Sequence, residues 1–253
     1  MASTAVVTAI GCDEDGWRHV LGVGVVDTES HDSWRGFPGQ VRSRGVRGVM
    51  LVAGDAHEGL RQAIQETFQG AAWQRCVVHL MRDCAREARS QRPGRRVERI
   101  LAPVFRARDA ETVRAPCHLA CEMLGACCPR AAEVLGDAEP DALAYLDFPA
   151  SHWKRVRTNN VQERCNRETR RRSRVVQVFP SVASLERLVG AVMCDEDDAG
   201  AGARYFSEKK MSELWEDRPD PEPPTGERAR EPRLVARHAI DASLELADRL
   251  EAA

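Results

Sequence analysis

Two carboxylates and a run of arginines are the groups best suited to chemistry in this 253-residue chain. Glu163 stands near the head of Thr158-Asn-Asn-Val-Gln-Glu-Arg-Cys-Asn-Arg-Glu-Thr-Arg-Arg-Arg-Ser-Arg174, where Arg164, Arg167, Arg170, Arg171, Arg172 and Arg174 follow it. Asp55 closes an apolar stretch, Val49-Met-Leu-Val-Ala-Gly-Asp55. Carboxylate oxygens hold divalent cations, and guanidinium groups hold phosphate oxygens. Together they suit a protein that grips the backbone of DNA and places a metal ion on one phosphate. The arginines fall on several faces of one helix, so part of the cluster is expected to be solvated surface and part to meet phosphates.

The elements that must position these groups follow from pattern. Ala5 to Cys12 and His19 to Val26 are apolar runs separated by Asp13-Glu-Asp-Gly16, which reads as a hairpin. Ser30 to Ser43 has helical character weakened by Gly36, Pro38 and Gly39. Gly48 to Ala53 is continuously apolar, which predicts a buried, central, parallel strand with Asp55 just past its carboxyl end, where open α/β sheets place their chemistry. Glu58 to Phe68 carries helical spacing, and Ala72 to Val78 reads as a returning strand. From Leu80 to about Leu146 the pattern is almost wholly helical, and helices are predicted again over Asn160–Arg174 and Val182–Met193. Arg218-Pro-Asp-Pro-Glu-Pro-Pro-Thr-Gly226 reads as a linker, followed by a helix from Leu234 to Leu250 that docks on the body, joins a second subunit or hangs as a loose tail.

Bulk properties narrow the classes. The formal net charge of -2 hides strong segregation, because arginines crowd 155–174 while acids and bases mix beyond Leu214. No apolar run approaches the roughly eighteen residues of a membrane span, and Met1 to Ala9 lacks the pattern of a secretion signal, so the expected location is cytoplasmic, with no membrane partner. The nine cysteines are then expected to be reduced thiols. Cys117, Cys121, Cys127 and Cys128 with His118 lack the paired spacing of a zinc knuckle, so small apolar packing is the expected role.

Five blocks taken together resemble the mutator-type transposase family of bacterial insertion sequences. They are Leu51-Val-Ala-Gly-Asp-Ala-His-Glu-Gly-Leu60, Ala72-Trp-Gln-Arg-Cys-Val-Val-His-Leu-Met-Arg82, Ala144-Tyr-Leu-Asp-Phe-Pro149, Glu163-Arg-Cys-Asn-Arg167 and Arg187-Leu-Val-Gly-Ala191. The resemblance runs in order from about Ala5 to Leu214. It implies an α/β fold with a ribonuclease-H-like mixed sheet, incomplete at its first strand, and a mainly helical insertion. The implied organisation is a first core part at 1–80, the insertion at 81–150, the final core helices at 151–214 and a proline-rich linker with a C-terminal helix at 215–253.

The resemblance also implies chemistry. Family members use two aspartates and a glutamate to bind two divalent ions, Mg2+ or Mn2+, for cleavage and strand transfer at transposon ends. Asp55 matches the second aspartate and Glu163 the glutamate, and His79 falls in a cysteine-and-histidine signature, as an active-site neighbour or a structural residue. The family's first aspartate has no match here, which reads as an amino-terminally truncated and impaired copy. Asp13 and Asp15 are the nearest acids, in a turn where acids are commonplace. Three functions follow as alternatives: a metal-dependent transposase, a noncatalytic remnant that binds DNA or an intact transposase subunit, and a zinc-binding interaction protein. Homo-oligomers are compatible with the first two.

Overall fold

The computed structural model of the protein describes residues 4–27, 31–88, 90–106, 111–176, 178–216 and 227–252. It is a mixed α/β structure, mostly helical with small sheets, and it divides into two compact units. The first comprises 1–73 and 159–216, the second 74–158 and 217–253. The proline-rich linker expected over 218–226 lies outside the described residues.

In the first unit, β1 (Thr4–Cys12) and β2 (Arg18–Asp27) form an antiparallel hairpin. The turn forms because Asp13 Oδ1 accepts from the Asp15 and Trp17 amides, at 3.1 and 2.7 Å, and Gly16 takes a φ of 87°, which side chains disfavour. The Tyr205 and Phe206 amides both donate to Gly16 O, which clasps the turn from outside. A bulge between Ala9 and Ile10 shifts the register.

The hairpin is packed on both faces. On one, Ala5, Val7, Ala9 and Leu21 meet a cluster of Val26, Trp34, Phe37, Val41 and Ala63. Apart from Val26, which belongs to β2, that cluster comes from α1 (His31–Ser43) and α2 (Glu58–Thr67). On the other, Ile10, Val20 and Val23 meet Cys165, Val189, Val192 and Met193, which come from α8 (Asn160–Ser173) and α9 (Val182–Gly200). Alternation of side chains along a strand makes this two-sided burial possible. Arg18 and Val20 fix α9 against β2, donating to Glu196 O at 2.7 Å and to Asp197 Oδ1 at 2.8 Å.

Two expectations are corrected in this unit. Helix α1 runs unbroken through Pro38, because Trp34, Phe37 and Val41 place three buried side chains on one face and their packing outweighs the lost backbone bond. Strand β3 (Leu51–Gly54) is not the central buried strand expected; among the described residues it pairs only with β4 (Ala72–Arg75), and Leu51, Val52 and Ala53 stay half-buried. Ala72 N–H donates to Met50 O at 2.9 Å where the pairing begins.

The second unit is helical: α3 (Val77–Arg86), α4 (Gln91–Val104), α5 (Glu111–Cys127), α6 (Pro129–Ala142) and α7 (Ala150–Val156), with a 3-10 turn at Ala144–Asp147. The strand expected to run from Ala72 on to Val78 stops at Arg75, and α3 starts at Val77. Helical spacing wins because Val77, Leu80 and Cys84 are all buried at i, i+3 and i+7, and the Val77 amide donates to Arg157 O at 3.0 Å. The core is Leu80, Ile100, Leu101, Leu124, Leu135, Leu143 and Tyr145, each fully or nearly fully buried. Each such leucine stabilises the fold by about 1.5–3 kcal/mol.

Buried Gln74 pins this core, its amide donating to Ala142 O at 2.8 Å and to Arg75 O at 2.7 Å and accepting from the Tyr145 amide at 2.7 Å. The last helix, α11 (Glu227–Ala252), starts earlier than expected and docks on α4 and α5 through buried Ala236 and Ile240. A short helix, α10 (Glu208–Ser212), completes the first unit. No helix among the described residues is long and apolar enough to cross a membrane.

Candidate nucleic-acid interface and carboxylate site

Asp55 follows β3 directly and is exposed, and the segment after it is locally locked. His57 N–H donates to Asp55 O at 2.8 Å, and His57 Nδ1 accepts from the Leu60 amide at 3.2 Å, capping α2. The His57 ring lies 4.1 Å from that of Trp34, centroid to centroid. His57 is thus a structural residue that fixes the backbone leaving Asp55. Gly54 has its own reason: a β-carbon there would collide with the Trp73 ring, so glycine lets Trp73 lie across the end of β3.

Glu163 lies in the first turn of α8, where its amide donates to Asn159 O at 2.8 Å. The Asn159 side chain does not cap its helix; its Nδ2 donates instead to Asp55 Oδ1 at 3.1 Å. One turn of helix therefore separates Glu163 from a residue in contact with Asp55. Gln162 ties the same turn to the hairpin, donating to Thr8 Oγ1 on β1 and to Asn166 Oδ1 at 3.3 Å. Sequence reasoning missed Asn159 and Gln162. The available signal was Asn159 at the position before a predicted helix start, which implied a cap and not a carboxylate partner.

Helix α8 sorts its arginines by face. Cys165 is buried against α9, and Arg172 points to the same side, where it pairs with Asp195 at 2.7 Å and Glu168 at 2.9 Å. Arg164, Arg167, Arg170, Arg171 and Arg174 are exposed. At roughly 100° per residue they fall within about 120° of the helix circumference, and Glu163 falls inside the same arc. Arg164 reaches Glu196 at 3.8 Å and Arg171 reaches Glu168 at 2.7 Å, whereas Arg167, Arg170 and Arg174 form no ion pair with a described residue. The hydrogen bonds from Arg171 and then Arg172 hold the Glu168 carboxyl down at about 2. The expectation that the arginines scatter over several faces therefore holds only for Arg172.

His79 sits half-buried in the first turn of α3, in the second unit, three residues after the strand-to-helix junction at Cys76. Asp13 is committed to the hairpin: it binds two turn amides and contacts His19 Nε2 at 2.7 Å. Partial burial pushes its carboxyl up, but the His19 contact and the turn amides together bring it below the usual value. Asp15 lies in the same turn. The zinc alternative loses its geometry, because Cys117 is buried, Cys127 is exposed and His118 turns to Glu139 at 3.0 Å. Among the described residues these groups do not converge on one point.

Burial pushes Cys84 and Cys117 up to about 12, so both are protonated packing residues, as expected for small apolar thiols.

A profile described as the transposase, Mutator family, matches residues 1–201. The chain belongs to the Mutator family of transposases. It is 40% identical over 200 residues to the transposase for insertion sequence element IS1081 of Mycobacterium tuberculosis, a stretch covering 78% of this chain and 48% of that relative. It is 36% identical to the transposase for IS406 of Burkholderia multivorans, across 77% of this chain and 50% of the relative. It is 33% identical to the transposase for IS256 in transposon Tn4001 of Staphylococcus aureus, across 75% and 49%. The Mutator-family chain thus spans about half the length of these curated relatives. Matched residues 1–201 include Asp55, Glu163 and the whole arginine helix, while α11 lies outside them.

Proposed function

We propose that this chain acts on transposon DNA by metal-dependent cleavage and strand transfer, with Asp55 and Glu163 as ligands for Mg2+ or Mn2+. The observation that carries the reading is the Asn159–Asp55 hydrogen bond, which anchors the first turn of Glu163's helix at the end of β3. The donor set fits the metal, since carboxylate oxygens are the hard ligands such ions take. A bound divalent ion would polarise a phosphate oxygen and lower the pKa of attacking water. The protein's own residues do the rest: Asn159 orients Asp55, Gln162 holds the helix to β1, and Arg164, Arg167, Arg170, Arg171 and Arg174 neutralise backbone phosphates, while Arg172 braces α8 against Asp195 and Glu168. His79 is assigned to orienting a carboxylate or contacting DNA.

The same reading takes the ribonuclease-H-like core from 1–80 and 151–214, with 81–150 as insertion and 215–253 as an appended linker and helix, in a cytoplasmic protein. The test is nicking of supercoiled plasmid by the purified chain with Mg2+ or Mn2+, beside Asp55→Asn and Glu163→Gln. Loss of metal-dependent nicking in both variants, with DNA binding retained, supports the assignment. Equal nicking by Glu163→Gln rejects it as a ligand.

A second reading rests on Asp13. The hairpin and His19 already engage that carboxylate, so the family's third ligand has no substitute there. On this reading the copy is impaired, binding DNA or an intact transposase without cutting. A folded chain that binds plasmid but never nicks it supports this second reading.

A further inference from the structure

Helix α8 leads into an apolar turn that the carboxylate chemistry does not use. Val175 is 83% exposed and Val178 81%, with Val182 at 53% and Val176 at 38%. Single exposed valines are ordinary, but four exposed within the eight residues from Val175 to Val182 are a concentration that suits a partner. The turn has firm roots. At its start the Arg174 amide donates to Arg170 O and the Val176 amide to Ser173 O, both near 3.0 Å. At its end Ser181 and Ser184 form a capping box that opens α9. Its two flanking helices are packed together through Cys165, Val189, Val192 and Met193. The valines therefore lie between two helices that are packed against each other.

What they meet follows from continuity. The exposed arginine arc that contains Glu163 ends at Arg174, the residue before Val175. A backbone tracking Arg164, Arg167, Arg171 and Arg174 runs straight to the valines. Resting on the DNA reading above, we propose that Val175 and Val178 form a wedge that enters the base stack of the bound duplex. Apolar wedges unstack a step and kink the helix, and flanking arginines offset the cost by holding the bent backbone. The spacing is set by α8: twelve residues from Glu163 to Val175 span about 18 Å at 1.5 Å each. That equals about five base pairs at roughly 3.4 Å per step. The distorted step therefore lies about that far from the phosphate beside Glu163, and flexible pyrimidine–purine steps are favoured there.

The experiment uses the purified full chain in EDTA and an A·T-rich duplex with 2-aminopurine at its TA steps, whose fluorescence rises on unstacking. The unmodified chain is expected to raise the fluorescence several-fold at saturation. Val175→Ser/Val178→Ser is expected to lose that rise while keeping its melting midpoint and the salt slope of binding, and Val175→Leu/Val178→Leu is expected to keep it. Binding with silent 2-aminopurine overturns the wedge and leaves DNA binding standing. Failure of the folded unmodified chain to bind overturns both. A rise that survives in the serine variant overturns the role of these valines, and so does a free dimer that the serine changes dissociate, since a second copy would then cover the patch.

Discussion

Asn159 reaches back across 104 residues to donate to Asp55 Oδ1 at 3.1 Å. The contact makes the strand end and the arginine helix parts of one arrangement, because Glu163 follows Asn159 by one helical turn. Asn159→Ala is expected to lower the melting midpoint only slightly, since water readily replaces an exposed hydrogen bond, which contributes about 0.5–1.5 kcal/mol. Its effect on metal-dependent nicking is expected to be larger, roughly 10–100-fold, as for other residues that orient metal ligands. Nicking rates across a metal titration check this, with rescue by high metal marking a weakened site.

The arginines separate by what they touch. Alanine at Arg167, Arg170 or Arg174 is expected to reduce the slope of log affinity against log salt by about 0.9 for each phosphate that is no longer neutralised. Arg172→Ala is expected to change the slope less, because Arg172 is engaged by Glu168 and Asp195. Fluorescence anisotropy of a labelled duplex at several salt concentrations distinguishes the two. Equal slopes for all four variants would reject the facial division.

Gln74 carries a different prediction. Gln74→Leu strands the Tyr145 amide and Ala142 carbonyl, both of which it now satisfies in the core. Each buried polar group left without a partner costs about 1–3 kcal/mol, so urea unfolding is expected to shift by about 2–5 kcal/mol. Gln74→Glu at neutral pH is expected to be worse, adding a buried charge.

Alkaline pH weakens the second unit. Burial holds the Cys84 and Cys117 thiols up at about 12, and Tyr145 likewise reaches about 12 through burial. In the unfolded chain these groups ionise near 9 and 10, so between there and 12 the folded state holds more protons. Stability is then fully present below pH 9 and falls as pH rises towards 12. Cys84→Ala/Cys117→Ala is expected to flatten that decline in denaturant titrations, whatever it does to stability at neutral pH.

Gly54→Ser is expected to displace the Trp73 ring, which occupies the space a β-carbon would need. Tryptophan fluorescence and near-ultraviolet circular dichroism would register the shift. An unchanged spectrum and unchanged melting would reject the collision.

The hairpin was legible because its turn is local: Asp13 and Gly16 announce it by type. Helix α8 was legible for the same reason, although its arginines were expected on several faces and all but Arg172 share one exposed arc. Four features were not legible, and each depends on distant packing. Pro38 reads as a breaker until the burial of Trp34, Phe37 and Val41 is known. Val77 and Val78 read as strand, yet the core that takes Leu80 and Cys84 makes them helix. Asp55 was marked as a site residue by resemblance, but Asn159 as its partner had no local signature. Strand β3 looked central because its residues are uniformly apolar, a property that does not report how many neighbours a strand has.

Both units are assembled from separated stretches of chain, 1–73 with 159–216 and 74–158 with 217–253. On the ribosome this imposes an order of events. At roughly 5–20 residues per second, the 104 residues between Asp55 and Asn159 take about 5–20 s to emerge. Throughout that interval the nascent chain carries Asp55 without Asn159, the residue that holds its carboxylate, and without the arginine helix that Asn159 precedes.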